Sequence, residues 1–240
     1  MKSIDNYLDY IVAQINKLKE TQANAIEQAA QLIADRLMKD HYLYVFGSGH
    51  SHMIAEELYA RAGGLVQVKG ILPPELMLHE FPTKSTFIER LDGYSENLLK
   101  HYPINDEDVL IIVSNSGRNN VIVEMALAAK NRNIPIIAIT SVTHSSSVES
   151  RHSSGQRLMD IADIVIDTLT PPGDAGYYLE GVETPVGPLS NLMGIAIAET
   201  ISVRVVEIAK EHNIILPVLR SSNLDGADER NNELFKKYLS

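Results

Sequence analysis

Apolar positions along this chain change their spacing partway through. Ile4, Leu8, Ile11, Ile15 and Leu18 recur at intervals of four and three, a narrow, seam-like helical stripe. Ile26, Ala30, Ile33 and Leu37 predict a second helix with its own apolar face. Beyond them, short continuous Val/Ile/Leu runs predict strands at 42–46, 66–68, 109–113, 136–140 and 164–167. Runs that are apolar at nearly every position fit a parallel sheet buried on both faces. Helical patterns at 51–62, 94–101, 119–131 and near 155–161 separate the strands. The last long helix, about 189–211, is apolar nearly all round, which predicts burial within the domain or between subunits. A polar stretch from Ser221 to Asn232 follows.

This alternation predicts an α/β fold. It is a doubly wound five-stranded parallel sheet in the flavodoxin-like order 2-1-3-4-5, flanked by helices and preceded by an N-terminal helical extension. We divide the chain into an N-terminal helix for oligomer contact (1–21), the sheet domain (22–212) and a C-terminal tail (213–240).

Two of the predicted strands run into serine-rich loops. The first passes into Gly47-Ser48-Gly49-His50-Ser51-His52, the third into Ser114-Asn115-Ser116-Gly117-Arg118-Asn119-Asn120. A helix begins after each, so backbone N–H groups and the helix dipole favour an anion there. Serine hydroxyls add donors without formal charge. In the order 2-1-3-4-5, strands 1 and 3 are neighbours whose connections leave in opposite directions. The crevice between their carboxyl ends is where such sheets bind ligands. Both loops therefore converge on one spot and predict a phosphate-bearing ligand.

Neither loop is a cofactor fingerprint. The first has His where a dinucleotide site needs its third glycine, and Val68-Lys69-Gly70 offers no acidic residue for a ribose hydroxyl. No Gly-Lys-Ser/Thr follows, so a P-loop is excluded. No cofactor is expected.

Composition narrows the partners. The 240 residues carry a net charge of −10 and no lysine-rich run, which argues against nucleic acid. There is no cysteine, so disulfides, thiol catalysis and Cys-ligated zinc are excluded. No apolar run is long enough for a bilayer, and acidic residues come too early for a signal peptide. A cytoplasmic protein without membrane contact is expected.

Val113-Ser114-Asn115-Ser116-Gly117 after a buried strand resembles the signature of the SIS (sugar isomerase) domain. Gly47-Ser48-Gly49-His50-Ser51 resembles its first-strand loop, and Ile136-Ile137-Ala138-Ile139-Thr140-Ser141 the strand after the signature helix. The match runs over roughly residues 22 to 212 and is nearest to phosphoheptose-isomerase-like bacterial proteins. The resemblance implies a sugar-phosphate ligand and a homodimer or homotetramer with sites near subunit interfaces. It implies Ser48, Ser51, Ser114, Ser116 and Asn119 as phosphate or sugar contacts, with Asn119 standing where the family usually has Thr. Gly49, Asn115 and Ser141, in the same matched segments, complete the expected phosphosugar-binding set.

An aldose–ketose isomerase moves a proton between adjacent carbons, which needs a base and a group acting at oxygen. Ala55-Glu56-Glu57-Leu58 resembles the Ala-Glu-Glu-Leu of phosphoheptose isomerases and makes Glu57 a candidate base. Metal-binding isomerases of this group carry His four residues earlier. Met53 stands there, so no metal site is expected, although His50, His52 and Glu57 lie close in sequence. Asn191 and Glu199 interrupt the last long helix where those enzymes carry an amide and a His. Glu199 is the second candidate base, with Arg204 as its alternative ion-pair partner. His50 or His52 is expected to assist at oxygen. His79-Glu80 in the long 70–93 connection, the stretch Arg151–Gly155 and the tail 223–229 are further polar spots near a potential site. The expected function is enediol proton transfer on a sugar phosphate. The alternatives are an amino-sugar-phosphate lyase or etherase, and a non-catalytic sugar-phosphate sensor.

Overall fold

The structure, a computed structural model, describes residues 2–239. Helix α1 runs unbroken over Lys2–Leu37. The two predicted stripes thus share one helix, because residues 19–25 contain neither glycine nor proline to interrupt it. Its two halves differ in environment. Ile4, Leu8 and Val12 are exposed, whereas Leu18, Ile26, Ala30, Ile33 and Leu37 are buried in the core.

Strands β1 (Leu43–Gly47), β2 (Val68–Ile71), β3 (Val109–Val113), β4 (Ile136–Thr140) and β5 (Ile164–Asp167) form one sheet in the order β2-β1-β3-β4-β5. All four pairings are parallel, with Leu43 opposite both Val68 and Val109, Ile111 opposite Ile137, and Ile139 opposite Ile166. Side chains alternate between the two faces. Val45, Ile111 and Ile139 join one core cluster with α1, and Tyr44, Phe46, Leu110 and Ile112 join the other. Burial on both sides explains why the central strands read as continuous apolar runs.

The first cluster also contains α2 (His52–Leu58) and α8 (Ser190–Glu211). The second contains α4 (Tyr94–Leu99), α5 (Asn120–Lys130) and α7 (Leu158–Ile161). Within the chain, helix α8 is buried along one face. Met193, Ile197, Ile201, Val205 and Ile208 are buried, but Val203 is 69% exposed. Arg204 on this helix pairs with Glu27, Glu207 and Glu211, not with Glu199.

Three features lie where the sequence reads as loop. The 70–93 connection contains α3 (Pro82–Ile88), a five-residue helix α6 (Val142–Ser146) follows β4, and β6 (Ala175–Tyr177) pairs antiparallel with β7 (Val186–Pro188). The tyrosines Tyr7 and Tyr10 of α1 pack against Tyr177 of this hairpin. An apolar recess of about 440 Å³ opens beside them, lined by Ile4, Leu8, Leu179 and Val186.

The tail is folded onto the sheet domain. Leu219 exchanges backbone hydrogen bonds with Gly63 and Gly64, and Val66 donates to the Pro217 carbonyl. This tie draws 65–66 out of the main sheet, so β2 begins at Val68. Helix α9 (Ala227–Tyr238) then covers Val66 with Leu219 and Tyr238. Among the described residues no helix is long and apolar enough to cross a membrane.

Candidate functional site

The loops after β1 and β3 lie side by side, because their strands pair from Leu43–Val109 to Gly47–Val113. Glycine is required twice in making them. A Cβ on Gly47 would stand 2.5 Å from the Ser51 carbonyl oxygen. Gly117 has φ +60°, and its Cβ would lie 3.0 Å from Leu158. Between the loops is an open cleft of about 270 Å³.

Of the sequence-predicted residues, Ser48, His50, Ser51, Ser114, Asn115, Ser116 and Asn119 line this cleft. They are not equivalent donors. Ser114 Oγ accepts from the Gly117 N–H at 3.1 Å, which leaves its own proton free. No hydrogen bond among the described residues uses the hydroxyl proton of Ser51 or Ser116. Asn115 is braced from below: its Oδ1 accepts from Thr170 Oγ1 at 2.6 Å and Thr168 Oγ1 at 3.4 Å. Gly49 supplies the turn itself, at φ +54°. Ser141 is not brought to the cleft wall. It is fully buried as the N-cap of α6, accepting from the His144 N–H and donating to the Thr170 carbonyl.

The cleft also holds a carboxylate that sequence reasoning missed. Glu89, the residue that ends α3, lines it beside Ser48 and Asn119. Ser48 Oγ donates to Glu89 Oε2 at 2.9 Å, and Asn119 Nδ2 donates to Oε1 at 2.7 Å. Its backbone is anchored too, since the Val121 N–H donates to the Glu89 carbonyl. Asn120 Nδ2 secures the next residues through the Arg90 carbonyl and Asp92. Burial pushes the Glu89 carboxyl above its ordinary range, against the opposing pull of Ser48, Arg90 and Arg151. The sequence signal was only the length of the 70–93 connection, because Ile88-Glu89-Arg90-Leu91 shows no helical or strand period.

Positive charge gathers around this carboxylate in a chain that is acidic overall. Arg151 Nη1 donates to Asn119 Oδ1 at 2.6 Å. Burial and the like charges of Arg118 and Arg90 hold the Arg151 guanidinium below its ordinary range. Arg118 Nε is buried with no hydrogen-bond partner among the described residues. His144, also in the cleft wall, is held below the usual imidazole range, chiefly by burial. Asp174 lines the cleft as well, but it is engaged in capping α8 through the Leu189 and Ser190 N–H groups and Ser190 Oγ.

The two carboxylates singled out from the sequence lie elsewhere. Glu57 is paired with Arg61 one turn along α2. The same guanidinium stands 4.0 Å from Glu199, whose side chain is exposed. Neither glutamate lines the cleft. Zinc does not fit this α2–α8 face: Asn191 Nδ2 donates to Met53 Sδ at 3.1 Å, and Glu57 is already paired. A thioether, an amide and an ion-paired carboxylate are not a zinc donor set. His52 turns inward from the loop, its Nδ1–H donating to the Gly49 carbonyl, so of the two candidate histidines only His50 lines the cleft.

These features define a doubly wound α/β protein with a small-ligand cleft at its topological switch point. A SIS domain model matches residues 6–141, and the chain belongs to the SIS domain family. It is similar to a UPF0309 protein of Halalkalibacterium halodurans, 45% identical over 237 residues, which covers 99% of this chain and 98% of the relative. The fold is similar to that of a phosphoheptose isomerase from Francisella tularensis, with a TM-score of 0.57 and 16% identity over 85% of this chain and 96% of that one. It is also similar to the Vibrio vulnificus NanR protein complexed with ManNAc-6P, with a TM-score of 0.54 and 14% identity over 98% of this chain and 69% of that one.

Proposed function

We propose that the cleft binds a sugar phosphate and that Glu89 moves a proton on the bound sugar, making the protein an aldose–ketose isomerase. The observation that carries this reading is the position of Glu89: a carboxyl group with a raised pKa, held by two hydrogen bonds at the switch point. A carboxyl group whose pKa is raised toward neutrality is suited to exchange a proton with carbon.

The phosphate is assigned to the free hydroxyls of Ser51, Ser114 and Ser116 and the N–H groups of the two loops, with Arg118 and Arg151 supplying charge. A phosphate beside Glu89 would be repelled, so the sugar carbons face the carboxylate and the phosphate lies toward Ser114 and Ser116 in the loop after β3. His50 and His144 are the groups suited to act at the sugar oxygens. In this reading Glu57 and Glu199 are positioned by Arg61 and take no part in the proton transfer. The phosphoheptose isomerase and the ManNAc-6P complex, both similar in fold, support a phosphorylated sugar as the ligand class.

The test is solvent deuterium incorporation at the carbon beside the carbonyl, read by mass spectrometry across a panel of aldose, ketose and amino-sugar phosphates. Exchange by the wild type and its loss in Glu89→Gln, with ligand binding retained, is the expected result. A bound ligand that never exchanges would make the chain a sensor. Exchange that survives Glu89→Gln would return the role to another residue.

A further inference from the structure

His52 is packed as a ligand would be. The residue is 3% exposed, and its Nδ1–H is held by the Gly49 carbonyl. That bond fixes the tautomer and turns the Nε2 lone pair away from the loop. Nε2 is buried with no hydrogen-bond partner among the described residues. A buried nitrogen in that state is costly unless something binds it.

Two further ligand atoms face the same point. Glu56 Oε1, one turn along α2, is 3.5 Å from His52 Nε2. His79 Nε2 is 3.9 Å from that oxygen, and its ring stands at 89° to His52 with centroids 5.5 Å apart. All three donor atoms lie within 4.8 Å of one another. Ligands held at about 2.1 Å in a tetrahedron are about 3.4 Å apart, so small rotations close the gap. His79 is exposed and free to make them. A simple His52–Glu56 ion pair would not account for His79, nor for a separation too long for a hydrogen bond.

We propose that His52, Glu56 and His79 form a zinc-binding site. Two imidazoles and a carboxylate are a zinc donor set that leaves one position open, and a backbone carbonyl orienting the far nitrogen of a ligand histidine is the usual outer support. The site is separate from the Met53–Glu57–Asn191–Glu199 face, which does not fit zinc. It joins α2 to the connection between β2 and α3, and Glu89 lies ten residues beyond His79, at the far end of α3. The ion would act as a clasp that holds this connection to the sheet domain. The clasp's importance for turnover rests on the proposed role of Glu89, but the binding site itself does not.

The test uses the full-length, tag-free chain stripped with chelator and titrated with zinc chloride by calorimetry. One zinc per chain is expected, with affinity at least tenfold weaker in both His79→Ala and Glu56→Gln and unchanged in the control His101→Ala. Glu56 and His79 are both exposed, so these variants leave the fold intact, which circular dichroism verifies. Absence of binding at micromolar zinc, or binding unaffected by both variants, overturns the site. Hydrogen exchange over residues 72–89 should slow on adding zinc to the wild type and not to His79→Ala. Stoichiometric zinc without that slowing would keep the site and overturn the clasp. Neither readout depends on catalysis, so failure of the isomerase reading leaves both results interpretable.

Discussion

Ser48, at the end of β1, gives its hydroxyl proton to Glu89 at the end of α3, across a separation of 2.9 Å. A serine has one proton to donate, so Ser48 holds the carboxylate and does not grip an anion through that bond. The hydrogen bond stabilises the ionised form of Glu89 and opposes the effect of burial. Ser48→Ala should therefore raise the Glu89 titration further. Carbon-13 NMR of the labelled side-chain carboxyl checks this. A midpoint unmoved or lowered in the variant would show that the Ser48 bond does not support the charge.

Burial of Glu89 also leaves a signature in stability. A raised folded-state pKa means that the native state holds the proton more tightly than the unfolded chain does. Stability then falls as pH rises from the ordinary glutamate range through the raised value, and stays reduced above it. Glu89→Gln removes this dependence. Urea midpoints for the two proteins should separate across that window in favour of the variant, and converge below pH 4. Parallel curves throughout would contradict the shift.

The loop after β3 should carry ligand affinity. Ser116→Ala removes a hydroxyl whose proton no group among the described residues takes up, so the fold should be unaffected. Sugar-phosphate binding should weaken by about 1.5–3 kcal/mol, the range for hydrogen bonds to a charged group. Calorimetry on a folded variant with unchanged affinity would remove Ser116 from the phosphate site.

The order of the sheet and the meeting of the two serine loops were legible from residues alone. Buried parallel strands have a distinctive composition, and glycine turns at their ends fix where a helix must start. Glu89 was not legible, because it reaches the cleft through a tertiary arrangement. Asn119, Asn120 and Val121 at the start of α5 hold a segment that has no period of its own. That Glu57 and Glu199 lie outside the cleft was hidden for a related reason. Each sits on a helix facing the core, and local spacing does not reveal that Arg61 stands between them. The hairpin β6–β7 escaped because strands of three residues are too short to show alternation.

The exposed apolar row Ile4, Leu8 and Val12 and the recess beside Tyr7 and Tyr177 should be covered by a second copy of the chain. Light scattering at micromolar concentration should report a dimer or tetramer. Leu8→Glu, at an exposed position of α1, should lower the mass without lowering helicity. A monomeric wild type would remove the N-terminal helix from any assembly role.

The backbone ties from Pro217 and Leu219 to the segment just before β2, with Tyr238 packed on Val66, have a bearing on the lifetime of the protein in solution. β2 is an outermost strand, and an open edge next to apolar surface is a template for strand addition by another chain. The last turns of the polypeptide act as a guard against that. A chain cut after residue 212 would keep its cleft residues and both serine loops, yet would present Leu65, Val66 and the edge beyond them to every other molecule in the tube. Its failure would take the form of precipitation rather than loss of the site.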